Sequence, residues 1–198
     1  MSPLHCEKIV AQLGLKAPNV DENGIPQRYK RDLPTDVYRP ILDRLEEEVQ
    51  AIEARYDGQI LGSGTQMRFV QYFEDQKNQP ELIGCENSTY QRKKWVRHSD
   101  IDLVGFIWLK DYNNSVPMDA RSQVYGGKLE FPAYGCSLVP QQGTLVMYPA
   151  GPSFLTAISH VMIGSLEMIK IGLKLNQGKE SWHYDKSRHP GSFPEWFL

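Results

Sequence analysis

The chain has 198 residues and a mass of 22.7 kDa, with 40% hydrophobic and 23% charged residues, the composition of one ordinary globular domain. Its 22 lysines and arginines against 24 acids leave a formal charge of −2, so no excess of positive charge advertises a nucleic-acid backbone as partner. No run approaches the ~18 to 20 apolar residues of a membrane span, and the opening MSPLHCEKIVAQLGLK lacks the pattern of a secretory leader, so a soluble, cytoplasmic protein is expected.

In chain order, a short helix is expected over residues 4–13, stopped by Gly14, followed by an irregular connector, APNVDENGIPQRYKRDLPTD, rich in turn formers and charge. Pro40 then opens an amphipathic helix: Ile41, Leu45, Val49 and Ile52 recur at helical spacing, Glu46, Glu47, Glu48 and Glu53 take the other face, and Gly58 ends it. From Gly62 onward short apolar or β-branched runs alternate with Gly, Pro, Asn and Asp. Strands are expected over residues 67–73, 95–98, 103–109, 128–131, 136–139, 144–148, 157–162 and 166–175. Many short strands with Gly/Pro turns argue for a mainly β chain with N-terminal helices, folded as a sandwich or jelly roll. The expected organisation is a helical buttress at 1–60 within the same domain, a β core at 61–176, and an aromatic-rich tail at 177–198 that packs back onto the body or, alternatively, is disordered in the free protein. Cys6, Cys85 and Cys136 are scattered and odd in number, which fits neither a disulfide framework nor a metal knuckle.

The chemistry-bearing segment is Trp95-Val96-Arg97-His98-Ser99-Asp100. On an extended strand residues two apart share a face, so His98 and Asp100 can offer an imidazole and a carboxylate to one cation. Asp102 falls on the same face but farther from His98. His160, after a strand-like run, is the best third ligand, and two imidazoles with one carboxylate make the facial set of non-haem Fe(II) oxygenases, which leaves coordination positions open.

The motifs that follow HxD are Gly126-Gly127-Lys128-Leu129-Glu130-Phe131, then Pro140-Gln141-Gln142-Gly143-Thr144-Leu145-Val146-Met147-Tyr148-Pro149, then His160. As an ordered set across residues 67–175 they resemble the prolyl 4-hydroxylase-like branch of the 2-oxoglutarate- and Fe(II)-dependent dioxygenases. The resemblance implies a double-stranded β-helix, the jelly roll of that family. It also implies a metal site of His98, Asp100 and His160, cofactors Fe(II) and 2-oxoglutarate, and hydroxylation with O₂ of an unidentified organic or protein substrate, a peptidyl-proline first. The family carries a basic residue about ten positions past its distal histidine, where Lys170 stands, to pair the far carboxylate of 2-oxoglutarate. The usual Gly-x-Arg approach is replaced by Glu167-Met168-Ile169-Lys170, and Lys174, on the same strand face, is the competitor. Tyr90 lies near where relatives place a tyrosine that hydrogen-bonds 2-oxoglutarate, and it reads equally as a packing residue.

Other readings stay beside these. Arg97 and the run Arg92-Lys93-Lys94 form a substrate-facing or solvated cluster. Trp95, Trp108, Tyr112 and Tyr125 suit stacking or a core. The stretches 76–94 and 111–125 are long connections expected to wall the site. A non-catalytic jelly-roll binding domain is the second class of function, and a cupin-like metal enzyme without 2-oxoglutarate the third.

Overall fold

The computed structural model describes residues 1–14, 20, 22, 29–56, 59–73, 85–112 and 123–176. Helix α1 spans Pro3–Leu13 because Ser2 caps it, its side chain accepting from the His5 N–H at 3.4 Å, and Pro3 opens the first turn with its φ already helical. Its buried stripe is Cys6, Ile9 and Leu13. Helix α2 spans Thr35–Tyr56 and buries Val37, Ile41 and Leu45. Pro40 lies inside it and does not open it. Proline removes one intrahelical bond there, but Pro40 is exposed and stands off the buried stripe of Val37, Ile41 and Leu45, whose packing carries the helix through it. The opposite face carries exposed pairs such as Arg39 with Asp43 at 2.8 Å, worth only tenths of a kcal/mol each, so burial and not charge holds the helix down.

The strands are β1 Tyr29–Asp32, β2 Gln59–Phe73, β3 Ser88–Gln91, β4 Lys94–Arg97, β5 Leu103–Trp108, β6 Asp111–Tyr112, β7 Gln123–Gly126, β8 Leu129–Phe131, β9 Cys136–Leu138, β10 Leu145–Pro149, β11 Ala157–Ile158, β12 Val161–Ile163 and β13 Ser165–Asn176. Expected strand 157–162 is two strands, interrupted at Ser159 and His160. The connector expected to be irregular contains β1, which pairs antiparallel along β2. Strands β3, β6 and β7 also fall within stretches read as loops. The expected tail at 177–198 and residues 74–84 and 113–122 lie outside the described residues.

Strand β13 organises the architecture. It is the centre of a five-stranded antiparallel sheet ordered β1-β2-β13-β5-β10, and its side chains alternate between two cores. Ile169, Ile171, Leu173 and Leu175 join Phe69, Leu103 and Ile107 beneath the two helices. Leu166 and Met168 face the other way. There they meet Val70, Val104, Phe106 and Trp108 of the same sheet, and Val124, Leu129, Phe131, Ile158 and Val161 of the smaller sheets. Each fully buried large apolar side chain contributes about 1.5 to 3 kcal/mol, so β13, buried on both faces, is the element the fold can least lose. The layers are therefore helices, the large sheet, and the short-stranded sheets, with an apolar core between the last two. Among the described residues no helix is long and apolar enough to cross a membrane.

Candidate active site

The segment after β4 is clamped before it reaches the interior. Arg97, at the end of β4, is buried and gives Asp102 an Nη2 contact of 2.7 Å, and the Leu175 N–H of β13 donates to the other Asp102 oxygen at 2.8 Å. Burial pushes the Asp102 carboxyl up, while the Leu175 N–H and Arg97 pull it back. Arg97 is thus an internal strut, not a member of a surface cluster, and Asp102 is its structural partner. The Asp102 N–H donates to Leu173 O at 2.8 Å, and Ile101 lies over Gly172, where an added Cβ would come within 2.8 Å of Ile101 Cδ1. These contacts lay residues 99–102 along β13.

Asp100 projects from that clamped segment and meets Lys174 of β13, Nζ to Oδ2, at 2.7 Å. The Lys174 ammonium holds the Asp100 carboxyl below the usual aspartate value. His98 is exposed, with its N–H donating to Asn87 O at 2.8 Å.

His160 is placed by the glycine motif. Ser159 and Lys128 bind each other twice, Ser159 N–H to Lys128 O and Lys128 N–H to Ser159 Oγ, both at 2.8 Å, and the Gly127 N–H donates to His160 O at 3.1 Å. Gly126, at φ 91°, ends β7 so close to this segment that a Cβ would sit 2.0 Å from His160 O. The Gly126-Gly127 pair therefore lets the backbone reach His160, which is exposed at the start of β12.

Alternation on β13 puts Lys170 on the interior face with Leu166 and Met168. Its ammonium pairs with Glu86 and lies 5.9 Å from the Phe106 ring centroid. Strand β5 runs alongside in antiparallel register, Phe106 opposite Lys170 and Trp108 opposite Met168, so Trp108 is the diagonal neighbour of Lys170 on the same face. Trp108 is 2% exposed, and its indole Nε1–H has no hydrogen-bond partner among the described residues. A buried donor left unpaired costs about 1 to 3 kcal/mol, and such a group calls for an acceptor. Tyr148 of β10 completes this wall, its phenol pushed well up by burial and its hydroxyl 3.5 Å from Thr156 Oγ1. Tyr90, 59% exposed on the β3–β4 hairpin, packs its ring against Trp95 at 5.4 Å and does not join the interior.

Among the described residues no three His, Cys, Asp or Glu side chains are gathered closely enough to hold a metal ion. His98 and Asp100 stand on one segment, His160 on another, and Asp100 is engaged by Lys174. By type alone, two imidazoles and one carboxylate are a donor set suited to ferrous iron, and Lys170 shares a sheet face with the unpartnered Trp108 N–H. A separate cavity of about 570 Å³ lies on the other face of the large sheet, lined by Met1, His5, Ile41, Leu45, Ile107 and Leu145, and holds none of the candidates.

No protein-family model matches the chain, and no curated protein does. Solved structures do. The viral collagen prolyl hydroxylase of Paramecium bursaria Chlorella virus-1, in its 2-oxoglutarate complex, superposes with a TM-score of 0.59 at 12% identity, covering 87% of this chain and 90% of that one. A Pseudomonas putida prolyl-4-hydroxylase superposes with a TM-score of 0.53 at 15% identity, covering 87% and 83%. At such identities the likeness is one of fold: the chain is built like the prolyl 4-hydroxylases, over nearly the whole length of each.

Proposed function

We propose that this protein is an Fe(II)- and 2-oxoglutarate-dependent dioxygenase on a double-stranded β-helix, hydroxylating a protein side chain, a peptidyl-proline in the first instance. The observation that carries the reading is that Lys170 and the buried Trp108 N–H, which has no partner among the described residues, share the interior face of β13 and β5. The fold shared with prolyl hydroxylases supports it, and their names supply the substrate class.

In this reading His98, Asp100 and His160 hold the metal. Bound there, ferrous iron would activate O₂, the oxidant, one oxygen atom of which would go to succinate as 2-oxoglutarate loses CO₂ and the other to the substrate C–H that becomes C–OH. The remaining work belongs to the chain. Lys170 pairs with the distal carboxylate of 2-oxoglutarate, exchanging Glu86 for it. Trp108 donates its N–H to the same carboxylate, the part first expected of Tyr90. Asp100 stays ionised through Lys174 until it ligates, and the Phe106, Tyr148 and Met168 side chains exclude water around the cosubstrate. Residues 61–176 form the catalytic core and residues 1–60 its buttress.

The engagement of Asp100 by Lys174 favours a second reading, a jelly-roll domain that binds an anion inside the barrel without catalysis. Succinate formation separates the two. With ferrous iron, O₂ and ascorbate, the dioxygenase reading predicts slow conversion of 2-oxoglutarate to succinate that is lost in Asp100→Ala and in Lys170→Ala. Binding of 2-oxoglutarate with no succinate formed would favour the second reading.

A further inference from the structure

The β3–β4 hairpin is rooted at the candidate site and tipped with charge. Its ladder runs from Ser88 opposite Arg97 to Gln91 opposite Lys94, and its base closes where Asn87 O accepts from the His98 N–H, so His98 is the first residue beyond it. At the tip Arg92 and Lys93 both adopt positive φ, 49° and 67°. This is the backbone of a type I′ turn, whose central positions suit Asn-Gly because a Cβ disfavours left-handed backbone. Two long cationic side chains occupy it instead, Lys94 follows, and all three are exposed. The whole chain carries a formal charge of −2, so the tip is a local exception to an acidic molecule. The hairpin forms a two-stranded sheet of its own among the described residues.

We infer that this hairpin is a docking arm for an extended, acidic stretch of the polypeptide substrate, its three cations pairing with carboxylates some distance along the chain from the residue that is oxidised. The inference rests on the dioxygenase reading and adds the substrate's charge. Four-residue strands at ~3.3 Å per residue put the tip about 13 Å from its base, so the acidic residues stand about four positions from the modified side chain of an extended peptide. Among the described residues no strand pairs with the hairpin's outer edges, which suits main-chain pairing with a peptide, and the Tyr90–Trp95 pair offers an apolar face beside them. Nucleic acid would call for a broader basic footprint.

The test uses fluorescent proline-containing peptides of about fifteen residues in which every third residue is glutamate, glutamine or lysine, and a single-stranded oligonucleotide of equal charge, measured by anisotropy at low and high salt. The parent protein should bind the glutamate peptide at least about tenfold tighter than the other two peptides, with the preference shrinking in salt. Arg92→Asn/Lys93→Gly should abolish that preference while melting no lower than the parent, because its turn is better suited to the backbone. Lys94→Glu, which leaves the turn untouched, should weaken glutamate-peptide binding on its own. Equal binding of the three peptides, an unchanged preference in both variants, or tighter binding of the oligonucleotide would overturn the inference. The charge-transfer signal of iron with 2-oxoglutarate is read on the same samples. Its absence alongside intact glutamate selectivity would remove the dioxygenase reading and support the arm. Its presence without selectivity would do the reverse.

Discussion

Two aspartates two positions apart do opposite work, and the difference lies in what each touches. Asp102 is buried against Arg97 and receives the Leu175 N–H, so replacing it strands a buried guanidinium. Asp102→Asn is expected to cost about 3 to 5 kcal/mol in a urea titration. Asp100, whose side chain is 46% exposed, meets Lys174 near the surface, and Asp100→Asn should cost less than about 1 kcal/mol while removing metal binding. Equal destabilisation by the two would mean that Asp100 is structural. Trp108 gives the complementary case. Trp108→Phe loses some packing but removes an unsatisfied buried donor, so stability should change by less than about 2 kcal/mol. Calorimetry should show 2-oxoglutarate bound about tenfold more weakly, near 1.4 kcal/mol, if the indole meets its carboxylate. The aspartate pair is visible in the sequence as H-x-D-x-D, but the division of labour is not, because it depends on β13 passing beside the segment. Arg97 was hidden for the same reason: within a run of basic residues nothing distinguishes the one whose partner lies five positions on.

At the scale of elements, β7 and the segment before β12 are fitted to each other through glycine. Gly126→Ala would drive a methyl group into His160 O and strain a positive φ, so the approach of the two segments must widen. The expected outcome is a loss of at least about 2 kcal/mol of stability, with ferrous affinity falling much further than that of the interior for 2-oxoglutarate. Normal metal affinity in a folded Gly126→Ala protein would detach His160 from the metal. The order of motifs, HxD, the double glycine and the distal histidine, is legible because each is a local composition signal. The short strands β1, β3, β6 and β7 are not. Two to four residues carry no measurable alternation, and each is a strand only because a partner lies alongside it. Pro40 misled because a proline near a helix start reads as its first residue, although Val37 before it already belongs to the buried stripe.

Across the whole molecule the alternation of β13 separates two tasks. One face seats the helices, and the other presents Leu166, Met168, Lys170 and Lys174 toward the interior. Buried Glu167, on the helix-side face, fixes that alternation. It pairs with Lys110 at 2.8 Å and accepts from Gln71 at 2.8 Å, tying the strand to both of its neighbours, so a slip of one residue would exchange every lysine for an isoleucine or leucine. Residues 166–175 are legible as a strand from their Leu, Met and Ile content, but the run is broken by Glu167, Lys170 and Lys174, so its two-sided burial is not. Which lysine serves which partner is decided by the neighbours, Glu86 and Phe106 for Lys170, and Asp100 for Lys174.

The account stands or falls on whether His98, Asp100 and His160 close on one ferrous ion beside a 2-oxoglutarate held by Lys170. The most direct measurement is anaerobic titration of the metal-free protein with Fe(II) and 2-oxoglutarate, followed in the visible. A weak charge-transfer band is predicted, abolished by His98→Ala, Asp100→Ala or His160→Ala, and shifted to much higher 2-oxoglutarate concentration by Lys170→Ala but not by Lys174→Ala. A folded protein that gives no band, or one whose band survives Asp100→Ala, would contradict it.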